Sequence, residues 1–198
     1  MLYTKLIEAI GIQSITRKVL LTSTGFTNKN IERMFLTHVD SLPDKLKCLF
    51  VTAAAVTEDA KSMIPLCKED LTSAGVLSRN IITYNFEHEM SVEDMCDYDA
   101  IYLCGGSSRK LLYTIINSGM RNTLVEAVNN GLFYIGVSAG AVIGGSFMRD
   151  SLQFIPNRVE PHVNKNPTKN GLLHGKNQVN ISDSQAIWIY GKRVEIFE

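Results

Sequence analysis

The chain has 198 residues and a mass of 22.0 kDa, is 45% hydrophobic and 20% charged, and is therefore long and apolar enough to bury a core rather than remain disordered. Twenty basic side chains balance twenty acidic ones, for zero formal net charge and a pI near 6.9, which gives no support to the concentrated basic surface that nucleic acid requires. No apolar run approaches a membrane span and no signal-peptide pattern opens the chain, so the expectation is one α/β domain over residues 1–198, cytoplasmic, with neither a nucleic-acid nor a membrane partner.

Residues 1–16 read as an N-terminal extension. Leu2, Leu6, Ile7, Ile10 and Ile12 have the spacing of a short amphipathic helix that Gly11 interrupts. Lys18 to Thr22 is the first strand, and Asn28 is placed to cap a helix carrying Ile31, Met34, Phe35 and Val39 on one face. Leu46 to Thr52 is nearly continuous in apolar character, as a strand covered on both faces must be. Thr57, Glu58 and Asp59 open a helix that ends at Gly75, with Pro65 marking a kink or boundary.

Asn80 to Phe86 is the third strand, Ser91 to Met95 a short serine-capped helix, and Ala100 to Leu103 the fourth strand, which runs into Cys104-Gly105-Gly106-Ser107-Ser108. Arg109 to Asn130 is helical and divided near Ser118 and Gly119; Phe133 to Val137 is the fifth strand. Beyond Gly145 the chain changes character, and Pro156, Pro161 and Pro167 exclude an uninterrupted helix. Val179 to Ile181, Ala186 to Tyr190 and Lys192 to Phe197 read as short strands, with a hairpin turn at Tyr190-Gly191-Lys192.

This alternation predicts a three-layer α/β fold with a mostly parallel sheet, helices on both faces and short C-terminal strands. Ligands collect beyond the carboxyl ends of such strands, where the connections at 53–57, 104–108 and 136–140 all open.

The chemistry centres on Gly136-Val137-Ser138-Ala139-Gly140, a Gly-x-Ser-x-Gly sequence at a strand-to-helix turn. A serine there exposes its hydroxyl at the sheet's carboxyl edge, and the Ala139 amide together with that of Gly106 could stabilise an oxyanion. The same pentapeptide also suits a tight turn holding an inert serine, and Gly106 could serve only close packing. A nucleophilic serine needs a base, and the histidines are His38, His88, His162 and His174. His162 follows Pro161, which restrains the local path, and His174 in a loop-like segment is the alternative base. Asp150 is the first candidate for the carboxylate that orients the imidazole and Glu160 the second, although Met148 to Ser151 reads equally as a solvated turn. Cys48, Cys67, Cys96 and Cys104 lack the spacing of a zinc site or disulfide framework.

Taken together, VLLTSTGFTNKNIERMF at Val19 to Phe35, LFVTAAA at Leu49 to Ala55, DAIYLCGGSSRKLL at Asp99 to Leu112, GVSAGAVIGG at Gly136 to Gly145, LQFIPNRVEPH at Leu152 to His162 and SDSQAIWI at Ser182 to Ile189 resemble peptidase family S51, the dipeptidase E and cyanophycinase-like group. The resemblance covers about Arg17 to Glu198. It implies a flavodoxin-like or class I glutamine-amidotransferase-like fold, Ser138 as nucleophile and His162 as base. Where the family commonly has Gly-Gly-Asn-Thr, this chain has Gly105-Gly106-Ser107-Ser108. Only 24 positions separate Ser138 from His162, a shorter interval than the family's, and Asp150 is a candidate remnant of the acid that the longer segment carries. The segment after His162 is also short of the family's Arg- and Glu-containing helix, so aspartyl-dipeptide specificity does not carry over.

The expected activity is serine-type hydrolysis of a short peptide or related small amide by nucleophilic acyl transfer, needing no metal or organic cofactor. A weakly active or inactive relative binding a small ligand or partner through the same strand-end pocket is the competing reading. A flavin- or nucleotide-binding flavodoxin-like protein is the third, although neither a Rossmann fingerprint nor a Walker A sequence is present. A homodimer is compatible with the sequence, which does not locate its surface.

Overall fold

A computed structural model describes residues 17–175 and 177–198, so the expected N-terminal extension and its short helix lie outside the described residues. Five strands, β1 (Lys18–Thr22), β2 (Cys48–Val51), β3 (Ile81–Thr83), β4 (Ala100–Leu103) and β5 (Phe133–Val137), run parallel in the order β3-β2-β4-β5-β1. The sheet then continues antiparallel through β9 (Ala186–Tyr190), β10 (Arg193–Phe197) and β7 (Gly171–Leu172). A separate parallel pair joins β6 (Val159–Glu160) to β8 (Val179–Asn180).

The apolar runs of β1, β2, β4 and β5 are buried along their whole length, because alternate side chains enter cores on opposite faces. Val19, Leu21, Val51, Leu103 and Tyr134 belong to one core; Leu20, Phe50, Tyr102, Phe133 and Ile135 belong to the other. Helix α1 (Lys29–His38) and helix α3 (Ile64–Ser73) cover the second core with Ile31, Phe35 and Leu71. Helices α5 (Ser108–Asn117), α6 (Arg121–Asn129) and α7 (Ala139–Gly144) cover the first with Leu111, Leu112, Ile115, Leu124, Val128 and Ile143. The three expected layers follow.

Local signals set the helix limits. Asn28 and Thr57 cap α1 and α2 (Glu58–Ser62) through side-chain acceptors. Pro65 falls at the first turn of α3, where its missing amide has no intrahelical role, and so separates α2 from α3. Ser91 and Asp94 form a reciprocal capping box on α4 (Val92–Cys96). Gly119, at φ +76, lies between α5 and α6.

Register places the functional loops. Thr22 pairs with Val137 on one side and Ala186 on the other, while Leu103 pairs with both Gly136 and Val51. The chain leaving β1, β4 and β5 and the chain entering β9 therefore meet at one edge of the sheet. Two strands were not expected from the sequence: β6 and β7 have two residues each, too short for any hydrophobic period.

Candidate active site

β5 ends at Val137, and Ser138 turns the chain into α7 with φ 48 and ψ −100, a left-handed conformation that a serine adopts only when its surroundings enforce it. Those surroundings are tight. A Cβ on Gly136 would lie 2.6 Å from the Gly140 carbonyl, and one on Gly140 would lie 2.9 Å from the Leu103 carbonyl oxygen. The buried Tyr134 hydroxyl donates to the Gly140 carbonyl at 2.9 Å, and the Ser138 amide donates to the Thr22 carbonyl at 2.9 Å. Held by β1, β4 and its own helix, Ser138 leaves its hydroxyl uninvolved in capping α7.

That hydroxyl instead lies 3.0 Å from Nε2 of His162. The other ring nitrogen, Nδ1, is 2.7 Å from Oδ1 of Asp183. An ionised carboxylate only accepts, so Nδ1 donates to Asp183 and Nε2 accepts from Ser138 in the tautomer that satisfies both contacts. Asp183 is itself fixed. Its Oδ2 accepts from Asn164 Nδ2 at 2.7 Å, its amide donates to Asn164 Oδ1 at 2.9 Å, and its carbonyl accepts from Thr24 Oγ1 at 2.7 Å. The Asn164 amide, then the His162 ring, hold the Asp183 carboxyl below its ordinary range against a partial loss of solvent. The relay is open to water, with side-chain exposures of 49% for His162 and 44% for Asp183.

The backbone at His162 has φ 64, and its amide donates to Ser23 Oγ at 3.1 Å. Ser23 is fully buried at the end of β1, and its hydroxyl donates in turn to the Ile181 carbonyl at 3.2 Å. The same carbonyl accepts from the Val163 amide, so β8 and β1 together fix the loop that carries the imidazole.

On the other side of Ser138 the β4 loop makes a second close approach. Gly106 has φ +131, and a Cβ there would fall 2.2 Å from the Ala54 carbonyl oxygen, which accepts from the Ser107 amide at 2.8 Å. A Cβ on neighbouring Gly105 would lie 3.2 Å from Cβ of Ser138. Only glycine fits at Gly106 without moving the loop. Neither the Gly106 nor the Ala139 amide has an acceptor among the described residues. Ser107 accepts from the Lys110 amide and caps α5.

Asp183, and not Asp150, is the acid beside the imidazole. The chain after α7 folds back on that helix, with the Leu152 and Phe154 amides donating to the Ile143 and Gly144 carbonyls. This carries Asp150 to an exposed turn held by Arg121 at the start of α6, where its carbonyl accepts from Nε at 2.8 Å. Glu160 pairs with Arg158, and His174 is exposed after β7. His38 packs on Trp188 with ring centroids 4.8 Å apart, and the His88 carbonyl accepts from the Tyr84 hydroxyl. Sequence reasoning missed Asp183, Asn164 and Ser23. The available signal was position: Ser23 directly follows β1, and Asp183 lies in the short turn before β9, which begins at Ala186.

A cavity of about 600 Å³ opens from Ser138 and His162 over Val137, Cys104 to Gly106 and the α1 and α3 helices. Asp70 borders it, its Oδ2 accepting from the Tyr102 hydroxyl at 2.6 Å and the Phe26 amide at 3.1 Å. Burial raises the Asp70 carboxyl above its ordinary range despite those donors, and nearby Glu32 and Glu69 add to the shift. The neighbouring Cys104 thiol lowers that of Cys67, while Cys67 and burial raise that of Cys104. A second cavity, of about 560 Å³ and lined by Lys47, Arg79, His88 and Asp94 among others, shares no residue with the first.

The sequence model of peptidase family S51 matches residues 19–197. Peptidase E of Streptomyces coelicolor is 26% identical over 157 residues, a match spanning 73% of this chain but only 62% of that protein. The uncharacterized peptidase Lmo0363 of Listeria monocytogenes is 26% identical over 201 aligned residues, covering 89% of this chain and 97% of the relative. Among solved structures, one from Listeria monocytogenes EGD-e presented as a candidate Peptidase E superposes with a TM-score of 0.69 at 23% identity, covering 92% of this chain and 98% of the other. A peptidase from an acI-B1 Actinobacterium gives 0.63 at 16% identity, covering 94% and 90% of the two chains. At those identities the structures speak to the α/β fold.

Proposed function

The chain belongs to peptidase family S51, and from that premise we propose that it is a serine-type hydrolase cleaving short peptides or related small amides. The observation that carries the reading is the continuous contact from Ser138 Oγ through His162 to Asp183, at 3.0 and 2.7 Å, mounted on a strained turn at the mouth of a cavity.

In this reading His162 Nε2 takes the Ser138 proton as Oγ attacks the substrate carbonyl, and Asp183 stabilises the imidazolium that forms. The Gly106 and Ala139 amides receive the negative charge on the carbonyl oxygen. The imidazolium then protonates the leaving amine, leaving an ester on Ser138. Water, deprotonated by the same nitrogen, attacks that ester and releases the acid. The imidazolium gives the proton taken from water to Ser138 Oγ as the acid leaves, so a proton from water replaces the one that departed with the amine.

The test is hydrolysis of a dipeptide and amide panel by the parent, Ser138→Ala and His162→Ala proteins, with fluorophosphonate labelling of Ser138 read in parallel. The expected result is turnover and labelling in the parent, with losses of at least about 1,000-fold in both variants. Turnover that survives both substitutions refutes the mechanism. Ligand binding in the cavity with neither labelling nor turnover favours a non-catalytic relative.

A further inference from the structure

We infer that the cleft beside Ser138 accepts an apolar side chain on the residue whose carbonyl is attacked and turns away an acidic one, an inference that rests on the hydrolase reading and names its substrate class. The cleft runs from Ser138 onto Phe26, Met63, Leu66, Cys67, Cys104 and Val137. Met63 and Leu66, three positions apart at the start of α3, are each 51% exposed at its rim, large apolar side chains half open to solvent. A substrate side chain lying along the cleft would cover them. The volume of about 600 Å³ is within the range of about 300–1,000 Å³ that encloses small ligands.

Charge narrows the choice further. Glu69 and Asp70 border the cleft with no ion-pair partner among the described residues, and Lys29 is the one basic side chain other than His162 among its described lining residues. Lys29 is already paired with Glu32 at 2.6 Å and is 72% exposed, so its ammonium faces solvent. A carboxylate entering this cleft would meet like charges and an apolar wall, with no unpaired lysine or arginine among the described lining residues to receive it. Both terms oppose binding, because the group is desolvated and repelled at once. A leucyl, methionyl or phenylalanyl side chain meets neither penalty.

Two measurements test this independently of each other. In Ser138→Ala protein, which cannot turn substrate over by the proposed route, calorimetric titration should show Leu-Leu binding at least about tenfold tighter than Asp-Leu. In the parent, kcat/KM should favour Leu-Leu over Asp-Leu by about 100-fold, the order of discrimination a shaped apolar pocket supplies. Leu66→Lys should move that ratio at least about tenfold towards the aspartyl substrate; a ratio is insensitive to any loss of folded protein. Equal or tighter binding of Asp-Leu, no measurable binding of either dipeptide, or a ratio unmoved by Leu66→Lys overturns the inference. Aspartyl preference with turnover that needs Ser138 sinks the specificity alone. Leucyl preference in the titration without turnover in the parent supports the cleft assignment and sinks the hydrolase.

Discussion

Replacing Asp183 by asparagine removes the charge from the proposed relay while keeping the side chain's shape. In the parent the carboxylate accepts from both His162 Nδ1 and Asn164 Nδ2 at 2.7 Å. The substituted amide has a single oxygen, so one of those donors must face an NH₂ group. When His162 takes the Ser138 proton, the carboxylate also stabilises the new positive charge. A pair of unit charges about 4 Å apart is worth about 4 kcal/mol at an effective dielectric near 20 and about 1 kcal/mol in water. With the two side chains 49% and 44% exposed, the appropriate value lies between these limits, about 2.5 kcal/mol, or about 70-fold in kcat. That is well below the roughly 10,000-fold that a buried carboxylate contributes in a closed triad. The assay is kcat on the best dipeptide, alongside the fluorophosphonate labelling rate of Ser138. Asp150→Asn is the control, expected within about twofold of the parent because it alters an exposed side chain. A loss under threefold for Asp183→Asn, or an equal loss for Asp150→Asn, would refute the reasoning.

Gly106→Ala should cost at least about 2 kcal/mol in urea unfolding and most of the activity, since its Cβ would fall 2.2 Å from the Ala54 oxygen at a φ of +131. Unchanged stability would mean that the β4 loop yields freely. Ser23→Ala removes the acceptor of the His162 amide; it should cost about 1 kcal/mol of stability and lower kcat more than it changes KM, by about tenfold, through misplacement of the ring. A pure KM effect would assign Ser23 to substrate contact instead. The pH dependence has a definite sign. Asp183 is held below its unfolded value, so its contribution to stability is complete above the ordinary carboxylate range and disappears as pH falls through its lowered folded value. The stability difference between the parent and Asp183→Asn should therefore shrink as pH is lowered from 5 towards 2 (roughly the ordinary carboxylate range and below), and a difference that grows would contradict the assigned shift.

Fold class was legible because each of its signals is local. Apolar runs such as Ala100–Leu103 and Phe133–Val137 are strands because both faces of the sheet are covered, and Ser91, Pro65 and Gly119 mark helix limits through caps, a missing amide and a positive φ. Peptidase family S51 was legible for the same reason, in the Gly-x-Ser-x-Gly turn and the segments around it. The acid was not. Asp183 stands 45 positions beyond Ser138 in a turn that says nothing about which strand its neighbour joins. It reaches His162 because β9 adds antiparallel to β1, with Ala186 opposite Thr22, so the turn before β9 opens at the same edge as the Ser138 loop.

What the sequence by itself determined, then, was the main strands and helices and the serine-bearing turn, since these depend on contacts within a few residues. Tertiary structure alone decided which carboxylate faces the imidazole, which hydroxyl holds its backbone and which side chains wall the cleft. Those choices depend on strand order and register, and neither is encoded in the residues that end up touching.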